Sequence, residues 1–173
     1  RLLAAVAWYD YERAKALGEE SLALFRELGD KLGISAVLRF LGVHAMTYDE
    51  FEAAMAPFEE SLRLARALKD ERGIAWSLHG LGGVPLQHAR YQEAVALHEE
   101  ALSLFRNLGD RWGMSSALGS LGAIARYRGD YERAETLLEE SLQVRQEMGS
   151  KAMIPLPLLS LGLLARDQGD YQR

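Results

Sequence analysis

Apolar and polar positions along the chain follow the spacing of amphipathic helices. In the segment 131–148, with the sequence YERAETLLEESLQVRQEM, apolar or small side chains fall at Tyr131, Ala134, Leu138 and Leu142. Residues three and four positions apart share one face of a helix, so this stripe predicts an α-helix and not a strand. Most residues of the segment are also strong helix formers. Since no segment shows a competing strand pattern, we predict an all-α chain.

The same pattern returns every 40 residues. The repeated positions are the aromatic column Tyr11, Phe51, Tyr91, Tyr131 and Tyr171, the pairs Leu41-Gly42, Leu81-Gly82, Leu121-Gly122 and Leu161-Gly162, and the alanines Ala14, Ala54, Ala94 and Ala134. A fixed period of this length is the signature of a repeat architecture. We therefore predict a single array over residues 1–173, with a partial unit at 1–10 and full units at 11–50, 51–90, 91–130 and 131–170.

Each unit divides into two helices at residues that are typical of helix ends. Gly29 and Gly109 stand where a left-handed cap needs a residue without Cβ. The predicted N-cap residues are Asp30, Asp70, Asp110, Asp130 and Ser150. The first helices of the pairs are predicted at 31–48, 71–88, 111–128 and 155–168, after a partial one at 1–8. The second helices are predicted at 11–28, 51–68, 91–108 and 131–148.

Glycine recurs in the middle of the first helices, at Gly42, Gly82, Gly122 and Gly162. A mid-helix glycine costs about 0.5–1 kcal/mol relative to alanine, so this column needs a compensating contact. We expect the backbone of the paired helix to approach closely there, with the alanine column as the other half of the contact. Because one helix pair cannot bury its apolar stripe alone, the pairs must stack into a solenoid.

The residues Leu121-Gly122, Gly129-Asp130-Tyr131-Glu132, Ala134 and Ser141-Leu142 resemble the tetratricopeptide repeat, and the pattern covers essentially the whole chain. The 40-residue period exceeds the common period of about 34. It looks like the longer repeats of large bacterial signal-transduction and transcription regulators, and is similar to those of kinesin light chains. The resemblance implies a right-handed superhelix, a solenoid of stacked antiparallel helix pairs. Its first helices would line a concave groove that binds peptides, proteins or small ligands.

The resemblance also implies which positions line the groove, at i, i+3, i+7 and i+10 along each first helix. The predicted binding residues are Arg39, Val43, Met46, Trp76, His79, Leu86, Ser116, Ala123, Arg126, Leu159, Leu163 and Arg166. This set mixes apolar residues with three arginines. It lacks the repeated lysines and asparagines of the family members that grip chaperone tails, so we do not carry that activity over.

Composition narrows the classes of function. The net charge of −5 argues against a general nucleic-acid-binding surface, which needs basic stripes. No apolar run approaches the roughly 18 residues of a membrane span. The absence of cysteine excludes disulfides and thiolate chemistry, and suits a reducing compartment. We expect a cytoplasmic protein that neither binds nucleic acid directly nor enters a membrane.

Catalytic motifs are absent from the sequence. Gly149-Ser150-Lys151 lacks the upstream glycine of a phosphate loop, and Leu102 stands where a zinc-protease motif starting at His98 needs its second histidine. The four histidines, which form no i, i+4 pair, are His44, His79, His88 and His98. We predict no enzymatic activity, no metal and no cofactor, and interpret the histidines as ordinary groove or surface residues.

Acidic pairs such as Glu59-Glu60 recur along the second helices. They are either the solvated face of the helices or an attraction for a basic ligand. We favour the solvated face, because Arg26, Arg66 and Arg106 recur nearby and can balance the charge.

The irregular unit contains Pro85 near the end of the helix at 71–88. Proline removes an amide from the helical ladder. The residue reflects either drift in a degenerate repeat, which we favour, or a kink that opens a ligand pocket around Trp76, His79 and Leu86.

These observations together predict a non-catalytic interaction scaffold, as a fragment of a larger bacterial regulator. Its groove would bind an apolar or amphipathic segment of another protein or of the same full-length chain, with arginines orienting acidic groups. One alternative is a small-molecule sensor domain of a transcription regulator. Another is a self-associating structural scaffold, whose uncapped ends at Arg1 and Arg173 stack head to tail.

Overall fold

A computed structural model describes residues 11–48, 50–87, 90–149 and 155–169. These residues form eight helices: α1 (Tyr11–Leu28), α2 (Lys31–Thr47), α3 (Phe51–Leu68), α4 (Glu71–Gln87), α5 (Tyr91–Leu108), α6 (Arg111–Tyr127), α7 (Tyr131–Glu147) and α8 (Pro155–Gln168). The described residues contain no strand. The all-α prediction and its helix pairs are therefore confirmed, with α2, α4, α6 and α8 as the first helices of the pairs. The partial helix predicted at 1–8 lies outside the described residues.

Local signals at the helix ends act as the sequence indicates. Gly29 and Gly109 have φ values of 68° and 63°, in the left-handed region that favours a residue without Cβ. Asp30 accepts hydrogen bonds from the amides of Leu32 and Gly33 at the start of α2. Three further aspartates act as caps in the same way. Asp70 accepts a hydrogen bond from the amide of Gly73, Asp110 from that of Gly113, and Asp130 from that of Arg133. Ser150, the last predicted cap, lies outside the described residues.

The chain forms two compact units, Arg1–His88 and Ala89–Arg173. In the first unit, α1 packs against α2, α2 against α3 and α3 against α4, and α2 also contacts α4. In the second unit, α5 to α8 pack in the same way, and α6 also contacts α8. Within each unit, first helices therefore lie beside first helices, as a stack of helix pairs requires.

The glycine column packs against large side chains that the sequence-based expectation did not include. A Cβ atom built on Gly42 would come within 2.7 Å of the Phe58 ring, and one on Gly80 would overlap the same ring. In the second unit, a Cβ atom on Gly122 would come within 2.7 Å of Leu138 Cγ. Phe58 and Leu138 stand four residues after the alanine column, so Gly42 and Gly122 accommodate a large side chain. At Gly122 the expected approach to the alanine column is also present, because the backbone oxygen of Ala134 lies 3.4 Å from the built Cβ atom. A Cβ atom on Gly162 meets nothing within 4 Å.

We expect two glycines of α6 to respond to alanine with opposite signs. A methyl group at Gly113 would overlap the ring of Phe105, which is fully buried and cannot move freely. Gly113→Ala should therefore lower the free energy of unfolding by about 1 kcal/mol. At Gly119, the nearest atom to a new methyl is Ser141 Oγ at 3.7 Å. Gly119→Ala should raise the free energy of unfolding by about 0.5–1 kcal/mol, because alanine is the better helix former. Urea unfolding of both variants measures the change in the free energy of unfolding. A stabilising effect of Gly113→Ala would contradict the close contact between Gly113 and Phe105.

Three glutamates of the acidic pairs form ion pairs with arginines of a neighbouring second helix. Their partners stand 34 residues apart: Arg26 with Glu60, Arg106 with Glu140, and Arg133 with Glu99. The distances are 3.3, 2.7 and 2.9 Å, and all six side chains are at least one-third exposed. The pairs favour the solvated-face interpretation over attraction of a basic ligand.

Exposed ion pairs of this kind contribute little each, so we expect a small effect of removing one. Glu140→Gln should lower the free energy of unfolding by about 0.2–1 kcal/mol at low salt. The difference should shrink when ionic strength rises, because salt screens exposed charges. Urea unfolding at two salt concentrations measures it. A loss that is independent of salt would contradict an electrostatic role for the pair.

Candidate functional site

The predicted binding residues all lie on first helices. In the first unit, α2 carries Arg39, Val43 and Met46, and α4 carries Trp76, His79 and Leu86. In the second unit, α6 carries Ser116, Ala123 and Arg126, and α8 carries Leu159, Leu163 and Arg166. The side chains of Pro85 and Leu86 lie outside the described part, so the pocket interpretation of Pro85 stays a prediction. The backbone of α4 continues through Pro85 to Gln87.

The first unit presents a mixed apolar and aromatic face on α2 and α4, which we call the α2–α4 face. Val43 is 44% exposed, whereas Met46, Trp76 and His79 are partly buried. Met46 packs over Gly83, where a Cβ atom would come within 2.8 Å of Met46 Cε. The rings of Trp76 and His79 meet edge to face, with centroids 5.7 Å apart. Apolar and aromatic side chains therefore remain accessible on two neighbouring first helices.

His79 is neutral near pH 7. Burial lowers the pKa of His79 to about 4, since the charged imidazolium loses its hydration there. The ring thus contributes aromatic surface and hydrogen-bonding nitrogens to the α2–α4 face, without positive charge.

Behind the α2–α4 face, three buried serines join α2, α3 and α4. Ser61 Oγ lies 3.0 Å from Ser35 Oγ and 2.9 Å from Ser77 Oγ, and Ser77 donates to the carbonyl of Gly73. Arg39 donates from Nη1 to Ser35 Oγ at 2.9 Å and, at 3.5 Å, to Ser61 Oγ. A cation on the face is thus held by hydroxyl groups of the interior.

The second unit holds its cations in a different way. Arg126 Nη1 lies 2.6 Å from Asp167 Oδ2, and Arg166 Nη2 lies 3.0 Å from Asp167 Oδ1. These hydrogen bonds, that of Arg166 first and that of Arg126 second, lower the pKa of Asp167. Arg126 also lies 4.7 Å from the centroid of the Tyr127 ring. Two of the three predicted groove arginines are therefore already paired with a carboxylate.

Two histidines lie in the packed interior, although the sequence predicts groove or surface positions for all four. His44 is 9% exposed and His98 is 1% exposed, so both belong to the packed interior. His98 stands in the same repeat position as Phe58 and Leu138, which are also fully buried. Alignment of the 40-residue units places these three residues in one column. The sequence alone does not show that Phe58 and Leu138 in this column pack against glycines of the first helices. His88 lies outside the described residues.

Sequence reasoning also missed the buried polar contacts. In the second unit, Ser115 and Ser141 repeat the pairing of Ser35 and Ser61, with a distance of 3.0 Å between the hydroxyl oxygens. Arg145 donates to Ser115 and is 7% exposed. The recurrence of serine at positions 61 and 141 was the available signal, since a repeated small polar residue in an apolar stripe needs a partner.

The described part of the chain holds neither a cluster of metal ligands nor a membrane-spanning helix. Within ranges 11–48, 50–87, 90–149 and 155–169, no three or more His, Asp or Glu side chains are grouped to hold a metal ion. No helix of that part is both long and apolar enough to cross a membrane.

Comparison with protein families decides what kind of repeat this is. Residues 49–107 and 73–147, together more than half of the chain, match the family model described as the tetratricopeptide repeat. The chain belongs to the tetratricopeptide repeat family. Such repeats provide scaffolds for protein–protein interaction, and the fold is typically non-catalytic. A search of curated protein sequences finds no match.

Solved tetratricopeptide and related structures share the fold at low sequence identity. BtubC from P. vanneervenii is 22% identical with a TM-score of 0.77, over 94% of this chain and 68% of that one. A putative kinesin light chain from Podosopora anserina, whose own TPR-like repeats are nearly identical to one another, is similar in fold with a TM-score of 0.67. Its sequence is 18% identical to this chain, and the match covers 94% of this chain and 80% of that one. A signal-transduction ATPase with a tetratricopeptide repeat sensor from Pyrococcus horikoshii is 20% identical, with a TM-score of 0.73. The match covers 93% of this chain but 25% of that protein. These likenesses support a solenoid of helix pairs.

Proposed function

We propose that the chain binds an apolar or amphipathic polypeptide segment against its first helices, within a larger bacterial regulator of the cytoplasm. The observation that carries the proposal is the α2–α4 face, on which Val43 of α2 is exposed and the paired rings of Trp76 and His79 on α4 are partly accessible. The second helices also carry exposed apolar residues, Leu24 and Leu28 on α1, but ion pairs such as Arg26 with Glu60 lie on the same helices. The combination of an exposed apolar residue with accessible aromatic rings on two neighbouring helices favours the first helices as the surface for a partner.

The driving force of such binding is removal of apolar surface from water. Burial yields roughly 25 cal/mol per Å² of apolar area, and aromatic side chains such as Trp76 supply large areas at low conformational cost. An amphipathic segment would cover Val43 and Met46 with its apolar side and leave its polar side in solvent. The segment comes either from another protein or from the same full-length polypeptide.

A second candidate function is the sensing of a small molecule. It is favoured by one likeness, to an ATPase whose tetratricopeptide repeats are described as a sensor. In that case the ligand would be an inducer held by the first helices. Self-association of the chain is a third alternative, and sedimentation over a concentration range measures it directly.

A thermal-shift screen with peptide, sugar and nucleotide panels distinguishes the first two functions. A ligand that binds only the folded state raises the unfolding temperature. We expect stabilisation by amphipathic peptides, its loss in Val43→Asp, and its retention in the matched variant Leu24→Asp. Leu24 is also an exposed apolar residue, but it lies on the second helix α1. Stabilisation by sugars or nucleotides alone would favour the sensor, and equal loss in both variants would contradict binding by the first helices.

A further inference from the structure

We propose that Arg39 is the specificity-determining residue of the α2–α4 face, and that it binds an aspartate or glutamate side chain of the partner segment. The inference rests on the proposed function and adds the chemistry of the segment: a carboxylate next to an apolar residue. It also assigns unequal roles to the three groove arginines, which sequence alone treats as equivalent.

Arg39 carries its charge without an ion pair to any residue that the structure describes. Within that part of the chain, its hydrogen bonds run from Nη1 to the hydroxyl oxygens of Ser35 and Ser61. Its remaining guanidinium donors are therefore available to a ligand that accepts hydrogen bonds, and carboxylates accept from arginine in a bidentate manner.

The charge of Arg39 is partly buried. Burial lowers the pKa of Arg39, and the charge of Asp70 opposes this effect without forming an ion pair with Arg39. A partly buried cation without a direct ion pair costs free energy that a carboxylate in contact with it would recover. Arg126 shows that recovery in the second unit, because Asp167 pairs with it at 2.6 Å. A carboxylate of a partner would form with Arg39 the kind of ion pair that Asp167 forms with Arg126.

The repeat sets the neighbourhood of Arg39. Met46 on α2 contacts Gly83 on α4, which stands 37 positions later. Because α2 and α4 are equivalent helices of consecutive units, the same offset places Arg39 level with Trp76. A segment whose carboxylate meets Arg39 thus brings its neighbouring residues to the Trp76 and His79 rings, which are 5.7 Å apart. We expect that neighbouring residue to be apolar.

Peptide display tests the proposal with a defined probe. A random twelve-residue library, fused through its carboxyl end so that only side chains supply carboxylates, is selected on the full chain. We expect Asp or Glu beside an apolar residue to be enriched over the unselected library. Selection on Arg39→Gln should lose this enrichment, whereas Arg63→Gln, which removes an exposed charge from α3 of the same unit, should keep it. Equal enrichment on Arg39→Gln, or none on the unaltered protein, would overturn the role of Arg39.

A binding cycle with one selected peptide makes the test quantitative. Exchanging its acidic residue for Gln should weaken binding to the unaltered protein about tenfold or more, as expected for a charge-assisted hydrogen bond. The same exchange should change binding to Arg39→Gln by less than about twofold, since the interaction is already absent. The peptide arm uses the unaltered protein, so it does not depend on the fold of the variant. Equal losses for both proteins would contradict the proposal.

The two proposals can fail separately. If peptides are selected that Val43→Asp no longer binds, but without acidic residues, the proposed function stands and the role of Arg39 falls. If no peptide is enriched at all, both fall. Thermal unfolding of Arg39→Gln gives a further check: we expect an unchanged or higher midpoint, and a much lower midpoint would assign Arg39 to the scaffold instead.

Discussion

Replacing Phe58 by alanine is expected to lower the free energy of unfolding by about 3–5 kcal/mol. Phe58 is 1% exposed and packs against Gly42 on α2 and Gly80 on α4, so one ring fills the space between two first helices. Removing it would leave a cavity that the rigid helices cannot close. Urea unfolding followed by circular dichroism measures the loss.

The matched control for this prediction is Leu24→Ala. Leu24 is 53% exposed, and its truncation should change the free energy of unfolding by less than about 1 kcal/mol. A further check combines Phe58→Ala with Gly80→Ala, because the added methyl overlaps the ring only while the ring is present. Gly80→Ala should destabilise the unaltered protein and not the Phe58→Ala variant. Additive losses would show that the ring and the glycine do not share a contact.

Acidification is expected to destabilise the fold through His79. The unfolded chain takes up a proton on this residue near pH 6.5, whereas burial lowers its pKa in the folded state to about 4. Between these values the unfolded state binds more protons, so stability is complete above about pH 6.5 and falls as the pH drops toward 4. The 2.5-unit difference corresponds to at most about 3 kcal/mol, and to less where water reaches the ring.

The variant His79→Gln isolates this effect from the titration of carboxylates. Both proteins are unfolded with urea at several pH values between 8 and 4.5, and their free energies are subtracted. We expect the variant to lose stability less steeply below pH 6.5, because it has no imidazole to protonate. Parallel pH profiles for the two proteins would mean that His79 is solvated in the folded state.

The helices and their ends could be predicted from the sequence because their causes are local. An aspartate such as Asp30 caps the amides two and three residues later, and Gly29 fits the left-handed turn before it. The 40-residue period repeats these signals. The ends of a helix with poor end signals can therefore be predicted from the equivalent helix of another unit. The positions of the predicted binding residues on the first helices follow from the same register.

The partners of the buried residues could not be predicted because they depend on packing between helices. The alanine column suggested the contact of Gly42, but the structure places Phe58 there, four residues further along α3. Asp167 gives no sequence signal that it pairs with Arg126 on a different helix. The contrast between Arg39 and Arg126 arises only from these non-local contacts, although both carry the same charge.

The most direct test of a binding face on the first helices is a methyl and indole NMR titration with a display-selected peptide. We expect chemical-shift changes at the Val43 methyls and the Trp76 indole, on α2 and α4. The Leu24 and Leu28 methyls, which are also exposed but lie on α1, should not move. Shifts at Leu24 and Leu28 with none at Val43 and Trp76 would place the partner on the second helices and contradict the account.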